Sequence, residues 1–304
     1  MTGEDAKPHL TVLVGAGLSQ ALGLPGVADI DQHLLGLTHP WISLPLGPAA
    51  VPIIPLLRRA LLSFYDEVNF ELLLHSAELI FSISVAGSSY SIGDVNKPPF
   101  LAFMDVSPRW RELVEGLHTS GAAEDIVQNV ASYVHEADKA LAANRLETVK
   151  VFLTSICSLF DLRVFTLNYD RVLERSSSGW FDGFVTRGNA IVFDGHEFLK
   201  EYRRKSKVLC HLHGSIDYRI DASGDYQVVK LPSGTLGEWP PIRAFRSRLQ
   251  SGEHALIGPI ISGLRKADKA AFAPFGHYYN AFVESVVTEP RLLIIGYGFK
   301  DYLY

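Results

Sequence analysis

Four short apolar runs stand out along the chain: Leu10–Val14, Arg163–Leu167, Val208–Leu212 and Arg291–Ile295. Each is rich in branched residues and stops at a glycine or polar cluster, the pattern of a buried β-strand. Between the first and second runs the period changes. Leu57, Leu61, Phe64 and Val68 recur every three or four residues, which predicts one helical face. Asn69-Phe-Glu71 leads into another predicted helix through Leu72, Leu73, Ala77, Ile80 and Phe81. From Ala122 to Phe160 the same spacing returns with Ile126, Val130, Tyr133, Ala137 and Leu141. Such stripes ordinarily mean core packing.

The first run is followed at once by Gly15-Ala-Gly17 and a helix-forming stretch, Leu18–Leu22. Strand, glycine turn and helix together open a dinucleotide-binding fold. The predicted class is therefore α/β, a Rossmann-like parallel sheet with helices on both faces. Residues 1–30 and 162–304 form its halves, and 31–161 is a mostly helical insertion.

Composition narrows the possibilities. The chain has 304 residues, 47% hydrophobic and 20% charged, enough for a core and too apolar for wholesale disorder. Lys plus Arg is 28 against 33 Asp plus Glu, a net charge of −5. That balance argues against a surface built for phosphate backbones, so direct nucleic-acid binding is not expected. The two cysteines, Cys157 and Cys210, are too few for a four-cysteine zinc ribbon or a disulfide framework. Met1 to Pro8 is polar and carries Glu4 and Asp5, unlike a signal peptide. The uncharged stretch Pro40–Leu57 is broken by Pro40, Pro45, Pro48, Pro52 and Pro55. Leu79–Gly93 is short and diluted by serines. The expectation is a cytoplasmic protein with no membrane span.

Chemistry-bearing residues gather after each strand. Gly15, Ala16 and Gly17 allow backbone N–H groups close to a pyrophosphate, and Ser19 adds a hydroxyl; a plain tight turn is the alternative. Thr166-Leu-Asn-Tyr-Asp170 places Asn168 and Asp170 two apart, for a ribose hydroxyl, a water, or simply an Asx turn and helix cap. In His211-Leu-His213-Gly-Ser215 both rings share a face if the strand continues. No further ligand at metal spacing accompanies them, so no metal site is expected. His213 before Gly214 suits a general base, and His211 a structural role. Gly296-Tyr-Gly-Phe-Lys-Asp301 is a last tight turn, with Asp301 either accepting from a ribose or capping a helix.

Taken together these motifs resemble the sirtuin-like superfamily. Gly15-Ala-Gly-Leu-Ser19 with Gly23-Leu-Pro25 looks like its first signature, and Thr166, Asn168 and Asp170 match its Thr-x-Asn-x-Asp element. Leu212-His-Gly-Ser215 matches its Leu-His-Gly-Ser element. Gly296, Tyr297, Gly298 and Asp301 are similar to its last ribose-binding turn. The order fits from Leu10 to Tyr304, and Asn69-Phe-Glu71 is an element often seen in the bacterial branch. The deacylase branch usually carries a four-cysteine zinc ribbon and a Phe-Arg pair after Gly-Leu-Pro. Here two cysteines and Gly26-Val-Ala-Asp29 stand instead.

The resemblance therefore implies a sirtuin-like NAD hydrolase of bacterial anti-phage defence, with NAD as substrate and no zinc. Asn168 would hold the ribose and a water, and His213 would be the base. Gly15, Ala16, Gly17 and Ser19 would cradle the diphosphate, and Thr166, Asp170, Gly214, Ser215, Gly296, Tyr297, Gly298 and Asp301 would complete the pocket. Relatives act as homo-oligomers, with a C-terminal sensing domain, or beside a short Argonaute or an ATPase. The insertion and the Pro40–Pro55 run are candidate contact surfaces. A closing helix is expected after Asp301, so either a partner region or a further part of a longer protein covers that sheet edge. The alternatives are a non-catalytic NAD- or ADP-ribose-binding module and an NAD-dependent protein deacylase.

Overall fold

A computed structural model describes residues 7–37, 43–44, 51–78, 122–221, 227–232, 235, 260–262, 270 and 272–298. Its centre is a four-stranded parallel sheet. The first strand, β1 (His9–Val14), leads into α1 (Ala16–Ala21) and α2 (Val27–Gly36). Ser43–Leu44 (β2) pairs with Val51–Pro52 (β3), and α3 (Ile53–Leu61) follows. Residues 70–78 are helical (α4), then come α5 (Ala122–Ala140) and α6 (Ala143–Leu159). The second sheet strand is β4 (Asp161–Thr166), followed by the short α7 (Val172–Ser176). A hairpin, β5 (Phe184–Arg187) and β6 (Ala190–Phe193), precedes α8 (Gly195–Glu201) and β7 (Lys207–His211). Then come β8 (Tyr218–Asp221), β9 (Gln227–Lys230), α9 (Phe275–Thr288) and β10 (Leu292–Ile295).

The sheet order is β10-β1-β4-β7, all parallel. The chain runs from β1 outward to β4 and β7, then returns to the other side of β1 as β10. Register aligns the carboxyl ends. Val14 sits beside Thr166 and Ile295, and Thr166 beside His211. All four motifs therefore emerge along one edge, beside the reversal of strand order where ligands bind in open α/β sheets.

Alternation along the strands sends side chains to two cores. Leu10, Val12, Val14, Leu162, Val164 and Leu209 pack with Leu146, Val149 and Leu153 of α6 and Val172 and Leu173 of α7. Leu13, Phe165, Val208 and Cys210 pack with Phe198 of α8 and Tyr278 and Ala281 of α9. Burial on both faces explains why these strands read as continuous apolar runs.

The described residues between β1 and β4 are largely helical and have their own core, with Leu34, Leu57, Phe70, Leu73, Ile126 and Val130 among its members. The residue 30/31 boundary falls inside α2, and α6 packs on the sheet rather than with the other insertion helices. Phe64, expected on the apolar face, is 82% exposed, because α3 ends at Leu61 and the chain turns there. Ile80, Phe81, Asp301 and most of Pro40–Pro55 lie outside the described residues.

A second sheet, antiparallel β5-β6-β9-β8, was not anticipated. Its hairpin turns at Gly188-Asn189 with Gly188 at φ +60°, the left-handed conformation that two-residue hairpin loops require. Among the described residues, no helix is long and apolar enough to cross a membrane.

Candidate functional site

The first and last turns of the sheet pack against each other through bare backbone. Gly15 N–H donates to the Ile295 carbonyl and Gly17 N–H to the Gly296 carbonyl, both at 2.8 Å. A Cβ on Gly17 would lie 2.9 Å from Gly296 O. A Cβ on Gly296, which sits at φ +62°, would lie 2.3 Å from Leu18 N. The glycines are needed for this close approach. The expected diphosphate cradle is revised accordingly: the N–H groups of Gly15 and Gly17 already have carbonyl acceptors, and Gly15 does not line the cleft.

Just past β4 the chain bends under the Thr166 hydroxyl, which accepts from Asn168 N–H at 3.1 Å. The Asn168 side chain is fixed at two points. Its Nδ2 donates to Gly15 O at 3.1 Å and to Ser19 Oγ at 2.8 Å. Ser19 Oγ in turn donates to Asp170 Oδ2 at 2.6 Å, and Asp170 Oδ1 accepts Val172 N–H at 3.0 Å. Burial pushes the Asp170 carboxyl up, and the Ser19 and Val172 bonds oppose that shift. Ser19 thus braces Asn168, its proton directed at Asp170. With both amide protons committed, Asn168 offers its Oδ1, an acceptor, to the cleft.

His211 and His213 part company where β7 stops. Gly214 takes φ +87°, turning the chain, and the His213 carbonyl accepts Ile261 N–H at 2.7 Å. His213 lines the main cleft, whereas His211 lines a separate cavity of about 200 Å³ with Glu174 and Lys230. The same-face pair expected from a continuing strand does not form, because the strand does not continue.

The main cleft has a volume of about 1010 Å³. Its sheet side carries Ala16, Gly17, Ser19, Asn168, Asp170, His213, Gly296, Tyr297 and Gly298, drawn from all four motifs. Thr166, Gly214 and Ser215 stand behind it; Ser215 Oγ accepts Asp217 N–H at 3.2 Å. The opposite wall, unforeseen as a wall, comes from the insertion and includes Asp31, Arg58, Asp66, Glu67 and Glu71. Asp31 Oδ1 accepts Phe70 N–H at 2.5 Å, and burial raises its carboxyl against that bond and Arg58. Asn69 Oδ1 accepts Leu72 N–H at 3.0 Å and so opens α4. Gly26 caps the start of α2, and its N–H donates to Asp29 Oδ2 at 2.8 Å.

Two polar networks stand behind the Asn168 loop, and neither is marked by a local sequence pattern. Arg171 Nε and Nη2 donate to Asp138 Oδ2 of α5 at 2.9 and 2.6 Å, and Nη1 reaches Asp217 Oδ1 at 3.4 Å. Burial drives the Asp217 carboxyl up to about 6, against Arg171. His211 Nε2 lies 2.7 Å from Glu174 Oε1, and Nδ1 lies 3.1 Å from the Asn168 carbonyl. The nearest sequence signal for them is the Asp170-Arg171 pair and a second histidine two residues before His213. No model of a known protein family matches the chain, and no curated protein sequence matches it.

Proposed function

We propose that the protein is an NAD hydrolase, splitting NAD into nicotinamide and ADP-ribose. One observation carries this reading: Asn168 and His213, from two separate sirtuin-like motifs, line one cleft with the turns of the other two. A cleft of about 1010 Å³ leaves room for a dinucleotide-sized ligand.

The bond that breaks joins ribose C1′ to the pyridinium nitrogen. Its electron pair passes to that nitrogen, so nicotinamide leaves neutral and needs no general acid. Positive charge builds on the ribose, as in other glycosyl transfers. Water adds at C1′ and gives up one proton. Asn168 Oδ1 accepts a hydrogen bond from that water or from a ribose hydroxyl, which orients it. His213 takes the proton, directly or through the hydroxyl. Asp170 acts by fixing Ser19, and Ser19 fixes Asn168.

In a cell such an activity depletes NAD, which fits an effector of anti-phage defence in the cytoplasm, restrained by homo-oligomer formation or by a partner such as a short Argonaute, an ATPase or a sensing domain. The test is nicotinamide release from NAD, with the protein alone and with its partner. Asn168→Ala and His213→Ala are each expected to lower the rate at least about a hundredfold, the scale of losing a positioned group or base. Wild-type rates in both variants would remove the assignment. NAD or ADP-ribose binding without product would favour a binding module, and turnover only with an acyl-lysine peptide would favour a deacylase.

A further inference from the structure

His211 lies one register row beside Thr166, and its side chain is 3% exposed. It lines the small cavity behind the loop and is absent from the cleft wall. What its ring faces is unusual. Nε2 lies 2.7 Å from Glu174 Oε1, and Nδ1 lies 3.1 Å from the backbone oxygen of Asn168. A carbonyl oxygen only accepts hydrogen bonds, and so does an ionised carboxylate. A neutral imidazole carries one N–H and can satisfy one of the two. The imidazolium carries two and satisfies both.

The geometry points to an imidazolium–carboxylate pair, buried His211 with half-buried Glu174, that grips the backbone of Asn168 and so positions its side chain in the cleft. The role rests on the hydrolase reading, because it acts through Asn168; neither residue touches the substrate. The Asn168 amide is held from one side by Gly15 and Ser19 and the Asn168 backbone from the other by His211 and Thr166. Misplacing a reacting group by about 1 Å can cost about a hundredfold in rate.

The surroundings agree. Burial disfavours charge on His211, yet Glu174 outweighs it and the ring is shifted towards the charged form. Burial likewise opposes ionisation of Glu174, and His211 outweighs it. Lys230 on β9 works against the charged ring, and Lys230 Nζ is itself tied to Asp182 Oδ2 at 2.5 Å. Asp217 on the β7–β8 turn senses the ring, and Tyr218 meets it edge-on with centroids 5.9 Å apart. Glu174 Oε2 is buried with no hydrogen-bond partner among the described residues, and His211 leads the groups that favour the charged carboxylate, ahead of Lys230 and the Glu174 backbone N–H. Loss of the second ring proton at high pH breaks one of the two bonds.

Glu174→Gln tests this while keeping the side chain's shape. Steady-state nicotinamide release is followed across pH in wild type and variant, each with its partner. The expected result is a kcat about 10- to 100-fold lower, an unchanged KM for NAD, and a basic limb of the kcat profile moved to lower pH. A fold defect alone would lower the active fraction and leave the limb in place. In parallel, histidine selectively labelled with nitrogen-15 reports the wild-type ring directly, with His211→Gln supplying the assignment. Both ring nitrogens are expected to be protonated at neutral pH. A neutral ring, or a Glu174→Gln profile that superimposes on wild type, overturns the inference. A wild type that releases no nicotinamide overturns the hydrolase reading and the positioning role with it; the ring's charge then still decides whether the ion pair exists.

Discussion

Ser19 has one hydroxyl proton and two neighbours that constrain it. Asn168 Nδ2 donates to its oxygen, so its own proton must go to Asp170 Oδ2, 2.6 Å away. Ser19→Ala deletes both bonds at once. Asp170 is buried and keeps only Val172 N–H on its other oxygen. Stripping a buried acceptor of its partner costs about 1–3 kcal/mol. Urea denaturation at neutral pH should show that loss, and nicotinamide release should fall because Asn168 keeps only Gly15 O as an anchor. An unchanged denaturation midpoint would mean that the Asn168–Ser19–Asp170 chain is not formed. Here the residue-level reading of the sequence went only part way. A serine after a glycine turn is visible as a hydroxyl near a phosphate site. Its true partners lie about 150 positions away, and no local pattern points to them.

At the scale of elements, α5 carries an internal tension near its first turn. The Asp125 carboxyl is raised to about 7, first by burial and then by Glu124. The folded state therefore holds this proton at pH values where the unfolded chain, with an ordinary aspartate near pH 4, has released it. Stability then falls as pH rises from about 4 to about 7. Asp125→Asn removes the titration. Its melting temperature should exceed that of wild type at pH 8, and the advantage should fade towards pH 4. A difference that stays flat across that range would refute the burial argument. Other elements show what was legible and why. The strands β1, β4 and β7 are buried on both faces, so their apolar runs announce them; the edge strand β10 reads the same way although Leu292 and Ile294 are exposed. The second sheet is half exposed and its strands are mixed, as Phe184–Arg187 shows; only Gly188-Asn189 marks the hairpin. The four site motifs were legible as strand ends, but the work of Gly15 and Gly17 was not. Their constraint is Gly296, which enters the contact only once β10 lies beside β1.

At the scale of the molecule, α5 joins two of the cores among the described residues. Ile126 and Val130 belong to the insertion core, whereas Ala137 and Leu141, just past the helix end, pack against the sheet core. Asp138 stands on the sheet-facing end and is fully buried. Its carboxylate binds the Arg171 guanidinium, Oδ1 accepts Arg171 N–H at 3.3 Å, and its carbonyl accepts from Arg175. Arg171 follows Asp170 directly, so the insertion and the Asn168 loop share one buried ion network. Asp138→Ala leaves the guanidinium with Asp217 at 3.4 Å as its remaining carboxylate. Breaking a buried pair from one side costs about 3–5 kcal/mol, because the orphaned charge stays desolvated. The loss should be local in its first effects. Amide hydrogen exchange should quicken over residues 168–173 and the second half of α5, while β1 and β4 keep their protection. Nicotinamide release should fall with it, since the loop that carries Asn168 is loosened. Asp138→Asn retains the shape and one acceptor, and should fall between wild type and Asp138→Ala in both measurements. If exchange in the loop stays at the wild-type rate while the second half of α5 opens, the insertion is not coupled to the site through this network.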